Sequence, residues 1–111
     1  MCILMTWKIY YYDNRISDIN ALSNVPFVNL KELNLSYNEI KNLEVFSNVP
    51  FKNLSKLNLS GNNIRKIEAM GRMPIIDLRE LYLRDNKIID NEDTHEIIES
   101  LRSKYKNIRI K

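Results

Sequence analysis

Cysteine occurs once, at Cys2, so no disulfide can form within the chain. The fold must hold without covalent staples, which fits a reducing compartment and a cytoplasmic location. Histidine also occurs once, at His95, and a single histidine beside a single cysteine argues against a zinc site. Glycine is limited to Gly61 and Gly71, too few for a flexible or low-complexity chain. No stretch approaches the ~18 consecutive apolar residues of a membrane span. Met1–Met5 is apolar but too short for a signal-peptide core, and no basic residues precede it. The net charge of +3 over 111 residues is too small to point to nucleic acid by itself.

What the sequence does have is a period. Leu30, Leu33, Leu35, Asn38 and Ile40 spell L-x-x-L-x-L-x-x-N-x-I. The pattern returns at Leu54, Leu57, Leu59, Asn62 and Ile64, and at Leu78, Leu81, Leu83, Asn86 and Ile88. A looser copy precedes them at Thr6, Ile9, Tyr11, Asn14 and Ile16. The asparagines fall at 14, 38, 62 and 86, a constant step of 24 residues. Leu33-Asn-Leu35 and its equivalents alternate with period two, the mark of a short strand buried on one face. Ile40, Leu43 and Phe46 then follow at spacings of three, which suits a tight 3₁₀-like turn. Pro26, Pro50 and Pro74 close each arm, because proline pushes the residue before it out of the helical region. No single repeat can bury its own leucines, so stability must come from stacking.

The pattern changes after Ile89. Asp93-Thr-His-Glu96 has the form of a capping box, and Ile97, Ile98, Leu101 and Tyr105 share a helical face. The sequence predicts a closing helix over Asp93–Tyr105 and a last short strand at Ile108-Arg-Ile110. The whole chain reads as one domain: an N-terminal edge at 1–5, repeats at 6–29, 30–53, 54–77 and 78–92, and a C-terminal cap at 93–111. The edge carries little covering. It folds over as a minimal cap, packs on another subunit, or continues a longer array.

These leucine and asparagine positions resemble a leucine-rich repeat protein, of the type found in cytosolic phosphatase regulators and in bacterial internalins. The resemblance spans roughly residues 6 to 111. It implies an α/β solenoid: a right-handed superhelix with parallel strands on the concave face, short 3₁₀ or irregular convex arms and a capping helix. It also implies an asparagine ladder at Asn14, Asn38, Asn62 and Asn86. A buried amide both donates and accepts, and can satisfy backbone groups at a turn that no strand partner reaches.

Function then falls to the positions written x. One outward column reads Lys8, Glu32, Lys56, Glu80, an expected ladder of surface ion pairs. The next reads Tyr10, Asn34, Asn58, Tyr82; beside it run Tyr12, Ser36, Ser60, Arg84 and then Asp13, Tyr37, Gly61, Asp85. Tyrosine and arginine are enriched at binding hot spots. The expected partner-binding set is therefore Tyr10, Tyr12, Asn34, Ser36, Tyr37, Asn58, Ser60, Tyr82, Arg84 and Asp85, around a small polar centre. Three sequons (Asn34-Leu-Ser, Asn53-Leu-Ser and Asn58-Leu-Ser) read as by-products of the repeat. No phosphate loop, nucleophile motif or calcium loop is present, so neither an enzyme, a cofactor nor a metal is expected.

The reading is a protein-binding module on the concave face, with no small-molecule substrate and no membrane. The alternative is a structural segment, or a piece of a longer array, assembling through its N-terminal edge. Nucleic-acid binding through the basic Arg102–Lys111 end ranks third, and an enzyme last.

Overall fold

The computed structural model describes residues 8–11, 14–24 and 28–111. The 1–5 edge, Thr6, Trp7, Tyr12, Asp13 and the Pro26-Phe27 segment lie outside the described residues. Strands and arms alternate. β1 (Lys8–Tyr10), β2 (Glu32–Asn34), β3 (Lys56–Asn58) and β4 (Glu80–Tyr82) are each followed by an arm. The first three arms are 3₁₀ helices, Asn20–Asn24, Glu44–Asn48 and Glu68–Arg72. The fourth is a true helix, α1 (Glu92–Lys104), which leads into β5 (Arg109–Ile110). All five strands form one open parallel sheet in chain order.

The register is the one the period requires: Ile9 faces Leu33, Leu33 faces Leu57, and Leu57 faces Leu81. Inward side chains therefore stack in columns. Leu30, Leu54 and Leu78 are at most 1% exposed, as are Leu33, Leu57 and Leu81. Phe46 and Met70 from consecutive arms meet them from the other side. Each such side chain contributes roughly 1.5–3 kcal/mol when fully buried. In the first repeat Ile9 keeps its inward place, but Tyr11, at the position of Leu35, is 46% exposed. A phenol retains its polar tip in water where a leucine would not.

The fourth arm starts in phase with the others. Glu44, Glu68 and Glu92 occupy the same repeat position and open their arms alike. Two substitutions make the last one α-helical. Asn91 replaces Leu43 and Ile67 at the residue before the arm, and its side chain accepts the Thr94 N–H at 2.9 Å. Ile98 stands where Pro50 and Pro74 end the earlier arms, so nothing stops the helix. The cap is thus Asn91, not the expected Asp93, because Asn91 holds the extended backbone (φ −143°, ψ 179°) that a capping residue needs. Asp93 lies inside the first turn, where its charge still suits the helix dipole. Leu101 and Tyr105 are buried against the third arm and its return, and the Tyr105 hydroxyl donates to the Ile75 carbonyl at 2.7 Å.

Candidate partner-binding face

Three positions set the geometry where strands end. Asn38, Asn62 and Asn86 each turn their amide inward. Asn62 Nδ2 donates to the carbonyls of Leu59 and Leu35, both at 3.0 Å, and its Oδ1 accepts the Ile40 N–H at 3.0 Å. Asn38 repeats this toward Leu35, Tyr11 and the Ile16 N–H. Asn86 does so toward Leu83, Leu59 and the Ile64 N–H. Asn14 differs: it is exposed, and its own backbone N–H donates to Asn38 Oδ1.

The residue before each ladder asparagine adopts a left-handed backbone, at Tyr37 (φ 57°), Gly61 (φ 70°) and Asp85 (φ 60°). Glycine is free there and aspartate is tolerated, but a bulky aromatic is an outlier. Tyr37 nevertheless lies 56% exposed. Its ring covers Gly61 so closely that a Cβ on Gly61 would come within 2.4 Å of it. The mixture of Tyr, Gly and Asp in one column was the sequence signal for this turn.

Tyr10 and Tyr82 stand on the solvent side of the sheet and lean onto carboxylates. Tyr10 Oη donates to Glu32 at 2.7 Å and Tyr82 Oη to Glu80 at 2.9 Å. Each bond raises its phenol's pKa above the usual value, since ionising the phenol would place two negative charges together. Lys56 and Lys111 place their ammonium groups 5.5 and 5.8 Å from the Tyr82 ring centre, within cation–π range. The expected ion-pair ladder is therefore realised differently. Among the described residues only Lys8–Glu32, at 3.8 Å, closes as an ion pair in that row. Tyrosines take the carboxylates, and a tyrosine takes Lys56.

Tyr10, Asn34 and Asn58 come together with Glu32 and Lys56 around a depression of about 250 Å³ over Leu33. Arg84 and Asp85 are exposed where β4 ends. Ser36 and Ser60 depart from expectation, being buried at 5% and 7% exposure. Ser36 gives both its N–H and its hydroxyl to Asn34 Oδ1, at 3.0 and 2.6 Å, and Asn58 Oδ1 accepts the Ser60 N–H at 3.0 Å. The strand alternation ends at Leu35 and Leu59, so the next residue turns in behind them rather than out. Tyr12 lies outside the described residues. His95 sits at the exposed start of α1, with its ring 2.5 Å from Asp90. No group of three metal-ligating side chains occurs among the described residues.

A stacked parallel sheet with a buried asparagine ladder defines the class, and the leucine rich repeat family model matches residues 28–88. The chain belongs to the leucine-rich repeat family. Its fold is similar to that of the internalin InlF from Listeria monocytogenes (22% identity, TM-score 0.73), covering 94% of this chain and 27% of that one. It is also similar to internalin C2 from the same organism (22%, 0.65, 92% and 40%). A leucine-rich repeat protein of Leptospira interrogans matches as well (20%, 0.70, 95% and 25%). The chain thus spans between a quarter and two-fifths of the length of these structures. No curated protein matches it. No helix among the described residues is long and apolar enough to cross a membrane.

Proposed function

We propose that this chain is a protein-binding module whose partner lies across the solvent face of the sheet. The observation that carries the reading is a set of three tyrosines: Tyr10 and Tyr37 exposed at 51% and 56%, and Tyr82 half-buried beside Lys56 and Lys111. Tyrosine gives a large contact area at low entropic cost. Tyr10 flanks the depression that Asn34 and Asn58 line. Tyr37 supports it by a second route. A strained aromatic persists only where the surroundings hold it, and such residues gather at binding sites. Arg84 and Asp85 add charge of both signs at the β4 end. Ser36 and Ser60 act from behind, fixing Asn34 and Asn58. The leucine-rich repeat fold is a general protein-interaction scaffold, and this chain acts by binding rather than by catalysis. The single cysteine supports a reducing compartment.

The test is capture of binding proteins on the intact chain, compared with Tyr82→Ala, Arg84→Ala and Tyr37→Gly. All three should retain the wild-type circular dichroism and lose the captured partner. Undiminished capture by the whole panel would remove the sheet face from consideration.

A further inference from the structure

A second surface lies on the arm side. The turns that lead from the asparagine ladder into the second and third arms border a cleft of about 590 Å³. Its lining includes four exposed cations, Lys41, Arg65, Lys66 and Lys87, and the buried Leu43 and Ala69. Among the described residues none of these cations enters an ion pair. Lys41 and Arg65 occupy the same position in consecutive repeats, and the turns beside them are hydrogen-bonded (Asn63 N–H to Ile40 C=O, 2.9 Å). Two like charges therefore stand at matching positions of adjacent repeats, an arrangement that favours a counter-charge beside them. The outward row of the sheet does the reverse and alternates Lys8, Glu32, Lys56 and Glu80.

We infer that this cleft binds a short acidic peptide segment, with its carboxylates at Lys41, Arg65, Lys66 and Lys87 and aliphatic stems against Leu43 and Ala69. Arg65 can grip a carboxylate through two parallel N–H bonds. Glu44 and Glu68, the first residues of the two arms, also line the cleft, and Glu44 is paired with Arg72 at 2.9 Å. Two fixed carboxylates repel the unbroken phosphate row of a nucleic acid. A peptide, with charged side chains spaced along a neutral backbone, can bypass them. The site is separate from the sheet face and does not depend on it.

The experiment is a fluorescence-anisotropy titration of the full chain against a labelled short glutamate-rich peptide, at low and near-physiological salt. Saturable binding that weakens with salt is expected. Lys41→Gln with Arg65→Gln should bind roughly tenfold more weakly, as two exposed charge contacts are lost. The pair Lys31→Gln with Lys52→Gln removes the same charge on the other side of the repeats and should leave binding within about twofold. Tyr82→Ala should not alter it, which separates this site from the proposed sheet-face partner. The inference is overturned if the unaltered chain does not bind at low salt, or if both double variants give equal losses. It is also overturned if a single-stranded oligonucleotide binds more tightly than the peptide through Lys41 and Arg65.

Discussion

Lys56, Leu57 and Asn58 form one strand, yet they obey different rules. Leu57 faces inward and has the same residue type before and after it, Leu33 and Leu81. Lys56 and Asn58 face outward, where the neighbours are Glu32, Glu80, Asn34 and Tyr82. Inward positions repeat because each must fill the same slot against the same neighbours. Outward positions vary because water accepts almost anything. Identity is thus concentrated in the columns that contribute least to folding.

The sharpest test of that division is Leu57→Ala, expected to lower unfolding stability in urea by about 2–5 kcal/mol through the cavity left between Leu33 and Leu81. Next comes the inward polar column. Asn62→Ala orphans the Ile40 N–H, while the Leu35 and Leu59 carbonyls each keep one amide, from Asn38 and Asn86; one unpaired buried group costs about 1–3 kcal/mol. A loss of about 1–3 kcal/mol is expected by the same measurement, against little for Asn14→Ala at the exposed end of the row.

Tyr105→Phe leaves the Ile75 carbonyl unpaired and should cost about 1 kcal/mol at neutral pH. It also has a pH signature. Burial pushes the Tyr105 phenol from 10.0 up to about 12. Below pH ~10 the phenol is neutral in both folded and unfolded chains, so its contribution is complete. Between pH ~10 and ~12 only the unfolded chain releases the proton, so stability falls as pH rises. Thermal melts across that window should show the wild type losing more than Tyr105→Phe. Tyr10 and Tyr82 shift in the same direction but are present in both proteins, so the difference isolates Tyr105. The smallest effect is expected for Lys56→Ala, within about 0.5 kcal/mol. A loss there as large as that at Leu57 would mean that the two faces of the strand are assigned the wrong way round.

The scaffold was legible in the sequence because leucine, asparagine and proline each answer to one constraint, and the period of 24 repeats that constraint. Three features were not. Ser36 and Ser60 sit one residue past the strand, where alternation no longer says which way a side chain points. The helix cap moved from Asp93 to Asn91 because both are good capping residues and only the backbone chooses between them. The cleft around Lys41 and Arg65 was hidden because patterns of apolar residues say nothing about where surface cations gather, although the Lys41–Arg65 column was visible once the repeats were aligned. On the sheet face the tyrosines stood out by type, but their pairing with Glu32 and Glu80 needed atomic positions.

The closing helix carries a further implication for how such a chain can change length. From β2 to β3 the paired residues are 24 apart, Leu33 to Leu57. From β4 to β5 they are 29 apart, Leu81 to Ile110, and the strands still lie in register. Between strand and ladder asparagine the count is rigid, since one extra residue would pull the amide off its carbonyls. On the arm side the path is elastic, and five residues have been absorbed as additional helix. Insertions and deletions in this chain should therefore accumulate on the outer curve. On the inner curve growth comes only by whole units.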